Sequence, residues 1–210
     1  MAILNSNQIR ELEKQYRVNL INSLIGFKPA NLVGTISEDG LTNLCIISSA
    51  FHMGSNPPLF GMVIRPEREN NDTLKNIQSV GQYTLNNVSP DWYRKAHQTS
   101  ASYPSGHSEF KECNLPEFYL EGFKAPFVET STIKIGLELR EIIDIKANGT
   151  TIVIGEVLHL SIDEAFIGDD GFIDHESAKT ITVAGLDAYY QTNFLGRLSY
   201  AKPGIEPQNI

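Results

Sequence analysis

Apolar and polar positions along this chain fall into short runs broken by Gly, Pro and Asn, which predicts strands with helices at the edges. Ser6 to about Leu24 places Ile9, Leu12, Tyr16 and Leu20 at helical spacing, with Ser6 as the expected N-cap. Gly26 should stop that helix, and GFKPANLVGTI begins a strand after Pro29. The tract SEDG, Ser37 to Gly40, is a hairpin turn with Asp39-Gly40 at its tip, and LTNLCII is the partner strand. Pro57-Pro58 breaks the pattern before LFGMVI, whose continuous apolar run predicts a buried strand. Asp72 is expected to cap a short helix, TLKNIQSV, and Gln82 to Val88 forms a further strand. Ser89 followed by Pro90 is expected to open a helix that runs through His97.

From Ser100 to Glu129 the sequence is rich in Gly, Pro, Ser and aromatic residues without a period, as expected of a long excursion over the mouth of a barrel. Thr132 to Ile145 and Thr150 to Ile162 read as two long strands joined around Asn148-Gly149. Their alternation gives way to continuous β-branched runs, which suits a closed barrel or a buried dimer face. Short helical turns and the segment LGRLSYAKP are expected at the C-terminus. The whole predicts a mainly β protein with peripheral helices in one domain, residues 1–210. It comprises a helix over about 6–24, a barrel core over about 29–162 and an extension over about 163–210.

Composition limits what such a barrel can do. A chain of 210 residues with 41% hydrophobic and 20% charged content is ordinary for a globular protein with one substantial core. No apolar run reaches the ~20 residues of a membrane helix, and MAILNSNQIRELEK lacks the basic and apolar segments of a signal peptide. A cytoplasmic protein without a membrane is expected. Cys45 and Cys113 are too few for a disulfide scaffold or a zinc cluster and should be reduced. The formal charge of −8 argues against nucleic acid. A phosphate-bearing small molecule needs only a local basic pocket, which Arg65, Arg68 and Lys75 could form. GxxxxGK, GxGxxG, HExxH and GxSxG are all absent, and GDDGFID, Gly168 to Asp174, fails the ligand positions of a calcium loop. No metal is expected.

Candidate chemistry concentrates in NLCIISSAFHMGSNPPLFGMVIRP, Asn43 to Pro66, and the tract that follows to Val88. An apolar sheet edge interrupted by hydroxyls, amides and a pair of arginines suits a flat ring with a phosphate tail. The backbone of Cys45, Ile46 and Ile47 can pair with a ring edge, and Ser48 and Ser49 can donate to ribityl or phosphate oxygens. Alternatively, the two serines simply cap a strand. Arg65 and Arg68 offer planar forks for phosphate, or are merely solvated. Thr73 stands at a helix start that favours phosphate, although Asp72 beside it would repel one and Thr73 could be a plain capping residue. An amide within a sheet needs a partner, so Asn31 or Asn43 could face polar ligand atoms or solvent. Asn87 is similar, with a turn as the alternative. His52 and His107 could sit near a ring edge or stay exposed. No catalytic side chain is assigned.

The block GFKPANLVGTISEDGLTNLCIISSAFHMGSNPPLFGMVIRPERENNDTLKNIQSVGQYTLNNVS resembles the flavin reductase-like family with the FMN-binding split β-barrel. Within it, the chain is similar to the branch of nitrilotriacetate monooxygenase component B and flavoredoxin. SEF, Ser108 to Phe110, and KAP, Lys124 to Pro126, continue the likeness. The late hairpin and Gly185 to Pro203 fit more loosely. The resemblance implies a homodimer with two FMN molecules at the subunit interface and reduction of flavin by NADH or NADPH. Hydride transfer between stacked rings needs geometry more than an acid or base. Without a Rossmann motif, the nicotinamide would fold over the flavin in a shallow cleft. Two readings stay open: a flavin reductase, or a non-catalytic flavin-binding module fed by a partner. Whether a monooxygenase or another redox partner takes the electrons is open as well.

Overall fold

The computed structural model describes residues 1–66 and 72–210. Helices α1 (Ser6–Glu11) and α2 (Lys14–Ser23) precede β1 (Lys28–Pro29), β2 (Asn31–Ile36), β3 (Thr42–Ile47), β4 (Phe51–Ser55) and β5 (Pro58–Ile64). Then come α3 (Asp72–Val80), β6 (Gln82–Asn87), α4 (Tyr93–Gln98), α5 (Glu109–Glu112), β7 (Glu117–Phe118) and β8 (Phe127–Val128). The long strands β9 (Ile133–Ile145) and β10 (Thr150–Ile162) lead to a 3₁₀ turn at Glu164–Phe166, β11 (Thr182–Ala184) and β12 (Ala188–Tyr190).

The body is a seven-stranded antiparallel sheet in the order β3-β2-β6-β9-β10-β5-β4. Its two end strands, β3 and β4, are consecutive in sequence and joined by residues 48–50. The sheet therefore curls on itself without closing its ladder, as in a split barrel. Both strong hairpin signals hold: Gly40 and Gly149 take φ of +83° and +72° at the tips, where a side chain would be strained.

Strand alternation separates two cores. Val33, Leu85, Leu137, Val153 and Met62 point into the barrel, where Ile77 of α3 and Tyr83 join them. Leu32, Leu44 and Val88 point outward, against Ala96, Phe110, Val128 and Val183. β2 is buried on both faces, which explains its unbroken burial. Close packing shows at Gly155, where an added Cβ would collide with the Tyr83 hydroxyl. The excursion from Ser100 to Glu129 is more than a cover. It carries α5, β7 and β8 and sends Phe110, Phe123 and Phe127 into the core. Buried Asn86 ties it down, accepting from Val128 N at 2.9 Å, while Thr84 Oγ1 donates to Pro126 O at 2.8 Å.

Several sequence expectations change. The N-terminal helix is two helices, broken at Leu12, and neither buries a residue. Its cap is Asn5, not Ser6, through a reciprocal bond with Gln8, and Glu13 caps the second helix at Tyr16 N. Asp72 stands in the first turn of α3. The helix expected after Ser89-Pro90 begins only at Tyr93, because Ser89 Oγ accepts from Asp91 N and holds a turn first. FHMGS forms an extra strand, since it pairs back on β5 across Pro57. Instead of helical turns alone, the C-terminal third supplies β11 and β12, which build a three-stranded sheet on β1.

Candidate functional site: a cleft at the open edge of the barrel

A cleft of about 890 Å³ opens where the sheet fails to close. Its floor is the end strand β3. Leu44 N–H points away from β2 and donates to the Glu109 carboxylate at 3.0 Å. Strand geometry places the backbone groups of Ile46, two residues on, along the same free edge. Cys45 and Ile47 sit with Val33 on the barrel side of the floor. Ser48 and Ser49 follow at the turn. Ser49 is a clasp: its hydroxyl donates to Val63 O at 2.8 Å and accepts from Val63 N at 3.3 Å, pinning the link to β5.

The start of α3 forms one end of the cleft, through Asp72 and Thr73. Asn43 donates both amide hydrogens internally, to Thr73 Oγ1 at 2.9 Å and Thr35 Oγ1 at 3.2 Å. Asn76 also donates to Thr35 Oγ1, so α3 is fixed to the sheet by polar bonds as well as by Leu74 and Ile77. Thr73 Oγ1 donates in turn to Cys45 Sγ at 3.2 Å. Burial pushes the Cys45 thiol up to about 11, against the opposing effect of that bond, so it stays protonated near neutral pH. Exposed Arg65 closes this end and donates through Nη2 to Asn22 Oδ1 of α2 at 3.2 Å.

The opposite wall is built from residues 99–104 after α4, with His107 and Glu109, and from Val183, Leu186, Asp187 and Tyr189 of the C-terminal sheet. Tyr189 OH and His97 Nδ1 lie 2.9 Å apart. Burial, with Asp187 nearby, pushes the Tyr189 hydroxyl up to about 12. Half-buried Glu109 is raised by burial, against the Leu44 N–H bond that favours its charge. His107 is exposed and pairs with Glu112 at 2.9 Å. The cleft thus carries the Arg65 cation at the α3 end, with the Asp72 carboxylate at that same end and further carboxylates at Glu109 and Asp187.

Of the residues nominated from sequence, Asn43, Cys45, Ile46, Ile47, Ser48, Ser49, Arg65, Thr73 and His107 line this cleft. Asn31 and Asn87 face each other in the β2–β6 register and lie outside the lining. His52 is exposed on β4, edge-on to Phe60 at 5.9 Å, and is also outside it. Arg68 falls outside the described residues. Sequence reasoning did not nominate Glu109, although it sits in the SEF motif. It also missed Tyr189 and its neighbours, which reach the cleft only through the pairing of β11 with β1. Among the described residues no group of His, Cys, Asp or Glu could hold a metal ion, and no helix is long and apolar enough to cross a membrane.

The open ladder and the cleft at its edge define a split-barrel protein. The chain belongs to the flavin reductase like domain family, whose model matches residues 27–178. It is similar to a candidate flavin reductase with a split barrel domain from Shewanella frigidimarina NCIMB 400. That protein is 45% identical with a TM-score of 0.92, over 96% of this chain and 100% of the other. Flavoredoxin of Desulfovibrio vulgaris (Miyazaki F) is 25% identical, with a TM-score of 0.70 over 81% and 90% of the two chains. Nitrilotriacetate monooxygenase component B from Bacillus cereus shares the fold at 22% identity and a TM-score of 0.79, over 93% and 98%.

Proposed function

We propose that the cleft binds FMN and that the protein passes a hydride from NADH or NADPH to the flavin. The observation that carries this reading is the free edge of β3 beside the start of α3. A ring edge with alternating donors and acceptors fits the backbone of Ile46, with the Ile47 side chain against its apolar face. The phosphate fits the first turn of α3, where a helix start favours an anion and Arg65 lines the same cleft. Asp72 opposes it and the Thr73 hydroxyl already donates to Cys45 Sγ, so the contacts run through Arg65 and the backbone amide of Thr73. The volume of about 890 Å³ lies in the range of small-molecule sites and leaves room for a second ring.

FMN, when bound, supplies a ring that accepts a hydride from a nicotinamide. The protein's own residues hold and orient. Glu109 fixes β3 through Leu44, Ser49 fixes the turn through Val63, and Asn43 aligns Thr73. The wall formed by residues 99–104 and Tyr189 gives the nicotinamide a surface to fold against. No side chain is needed as acid or base, and the neutral Cys45 thiol is not a nucleophile. Likeness to flavoredoxin favours a second reading, in which the protein is an electron-transfer module without its own nicotinamide site. In either case we expect a cytoplasmic homodimer whose flavin sites are touched by both chains. Its electrons would go to a monooxygenase or another redox partner.

FMN titration of the apoprotein, followed by steady-state oxidation of NADH and NADPH with added FMN, tests both readings. Turnover supports the reductase. Binding without turnover supports the module, and no binding at high micromolar FMN overturns both.

A further inference from the structure

The last twenty residues form an arm that this chain builds but does not cover. From Gln191 to Ile210 every residue except Arg197 and Ser199 is exposed. The arm is nevertheless folded. Leu198 bridges Asn209, Lys202 bridges Ile205, and backbone bonds join Ser199 N to Gln208 O at 2.8 Å and Ile210 N to Arg197 O at 3.1 Å. Its root is clamped to the body. Arg197 pairs with Asp170 at 2.7 Å and stacks on Phe172 at 4.2 Å, while Phe194 N donates to Glu176.

This hairpin carries Phe194, Leu195, Leu198, Tyr200, Ile205 and Ile210, with Leu195 99% and Tyr200 89% exposed. A solvated tail would have little reason to hold that much apolar surface in a defined shape. Phe194 and Tyr200 can each bury roughly 150–250 Å², and with Leu195, Leu198, Ile205 and Ile210 beside them the arm moves towards the ~800 Å² per partner of a specific interface.

We propose that the arm docks on a second copy of this chain, exchanged in both directions about a two-fold axis. This rests on the homodimer proposed above and assigns its contact. Three observations favour a second copy as occupant. First, an isologous contact needs both halves of the surface on one chain. Leu24, Ile25 and Phe27 are exposed apolar residues just before β1, and the Phe27 ring lies tilted against Tyr190, the residue before the arm, at 4.8 Å between centroids. Second, a body of net charge −8 repels its copy, whereas the side chains of Leu195 to Ile210 carry only Arg197, Lys202 and Glu206, and Arg197 is already paired. The arm is the near-neutral part through which two such bodies can touch. Third, exchange doubles the buried area, because each copy gives one arm and receives one. The arm follows directly on Tyr189, a wall of the cleft, so docking braces the cleft from outside.

The test is sedimentation velocity of the full chain, the full-length Leu195→Asp/Tyr200→Asp variant, and a chain ending at Phe194, from nanomolar to high micromolar concentration. The full chain should be dimeric at micromolar concentration. Both variants should need at least 100-fold higher concentration to associate, and the full-length variant, whose Arg197–Asp170 clamp is intact, should keep the circular dichroism of the full chain. A variant midpoint within threefold of the full chain overturns the arm but leaves the dimer standing. A full chain that stays monomeric throughout overturns both. FMN titration of the same samples reports separately on the cofactor reading.

Discussion

Replacing Arg65 with alanine separates recognition of a phosphate from recognition of a ring. In the protein Arg65 is exposed and its Nη2 donates to the neutral amide oxygen of Asn22 at 3.2 Å, an exchangeable bond. A hydrogen bond to a charged group contributes roughly 1.5–3 kcal/mol. Exposure and salt screening move an open site towards the lower end of that range. FMN affinity should therefore fall about tenfold, and by no more than about a hundredfold. Riboflavin, which lacks the phosphate, should bind the variant as it binds the parent. Quenching of flavin fluorescence during titration of each apoprotein reads both constants. Raising salt should narrow the gap between parent and variant for FMN only. Equal losses for FMN and riboflavin would refute the assignment and make Arg65 a support for α2 and the cleft rim. No loss for either would leave Arg65 solvated and move the phosphate towards Thr73.

Further outcomes follow from the geometry. Glu109→Ala should weaken FMN and riboflavin alike, by up to about tenfold, because it frees Leu44 N–H on the strand that meets the ring. Glu109→Gln keeps an acceptor and should bind nearly as the parent does. The raised pKa of Glu109 means that the folded state keeps its proton longer than the unfolded chain does. Stability from this group is therefore full below the ordinary carboxylate range and is lost as pH rises through the raised value. Denaturation midpoints across mildly acidic pH should show this slope in the parent and not in Glu109→Gln. Ser49→Ala removes two bonds to Val63 and should cost about 1–2 kcal/mol in urea unfolding; a change of a few tenths would show that the clasp is ornamental. Gly155→Ala should cost about 1–3 kcal/mol by overpacking, and less on a Tyr83→Phe background, where the colliding hydroxyl is gone.

What could be read from sequence is local. Asp39-Gly40 and Asn148-Gly149 announce their hairpins because the turn's backbone demands those residue types. The strands flanking them follow from pattern alone, whereas the nomination of Asn43, Cys45 to Ile47 and the two serines leaned on the family resemblance as well. What could not be read depends on partners distant in the chain. Asn43 and Ser49 look like ligand donors until Thr73, Thr35 and Val63 are seen to take their hydrogen bonds. FHMGS carries no strand signal of its own and is extended because β5 offers it a ladder. Tyr189 and Leu186 reach the cleft because Lys28 pairs with Val183, a contact no window along the chain contains. The apolar spacing of α1 and α2 predicted a packed face, yet neither helix buries a residue.

The position of β3 at the end of its sheet also bears on how the protein survives before it is loaded. An open strand edge invites another strand to add to it, and folded proteins normally blunt such edges. Here Glu109 occupies one of the outward amides of β3, while the edge beside it at Ile46 remains open for the ligand. The same backbone groups that would read a flavin ring are therefore a point of adhesion when the cleft is empty. A cofactor in that place acts as a guard on the sheet as well as a reagent. The unloaded protein should clump sooner than the loaded one on storage at high concentration, even where their melting temperatures agree.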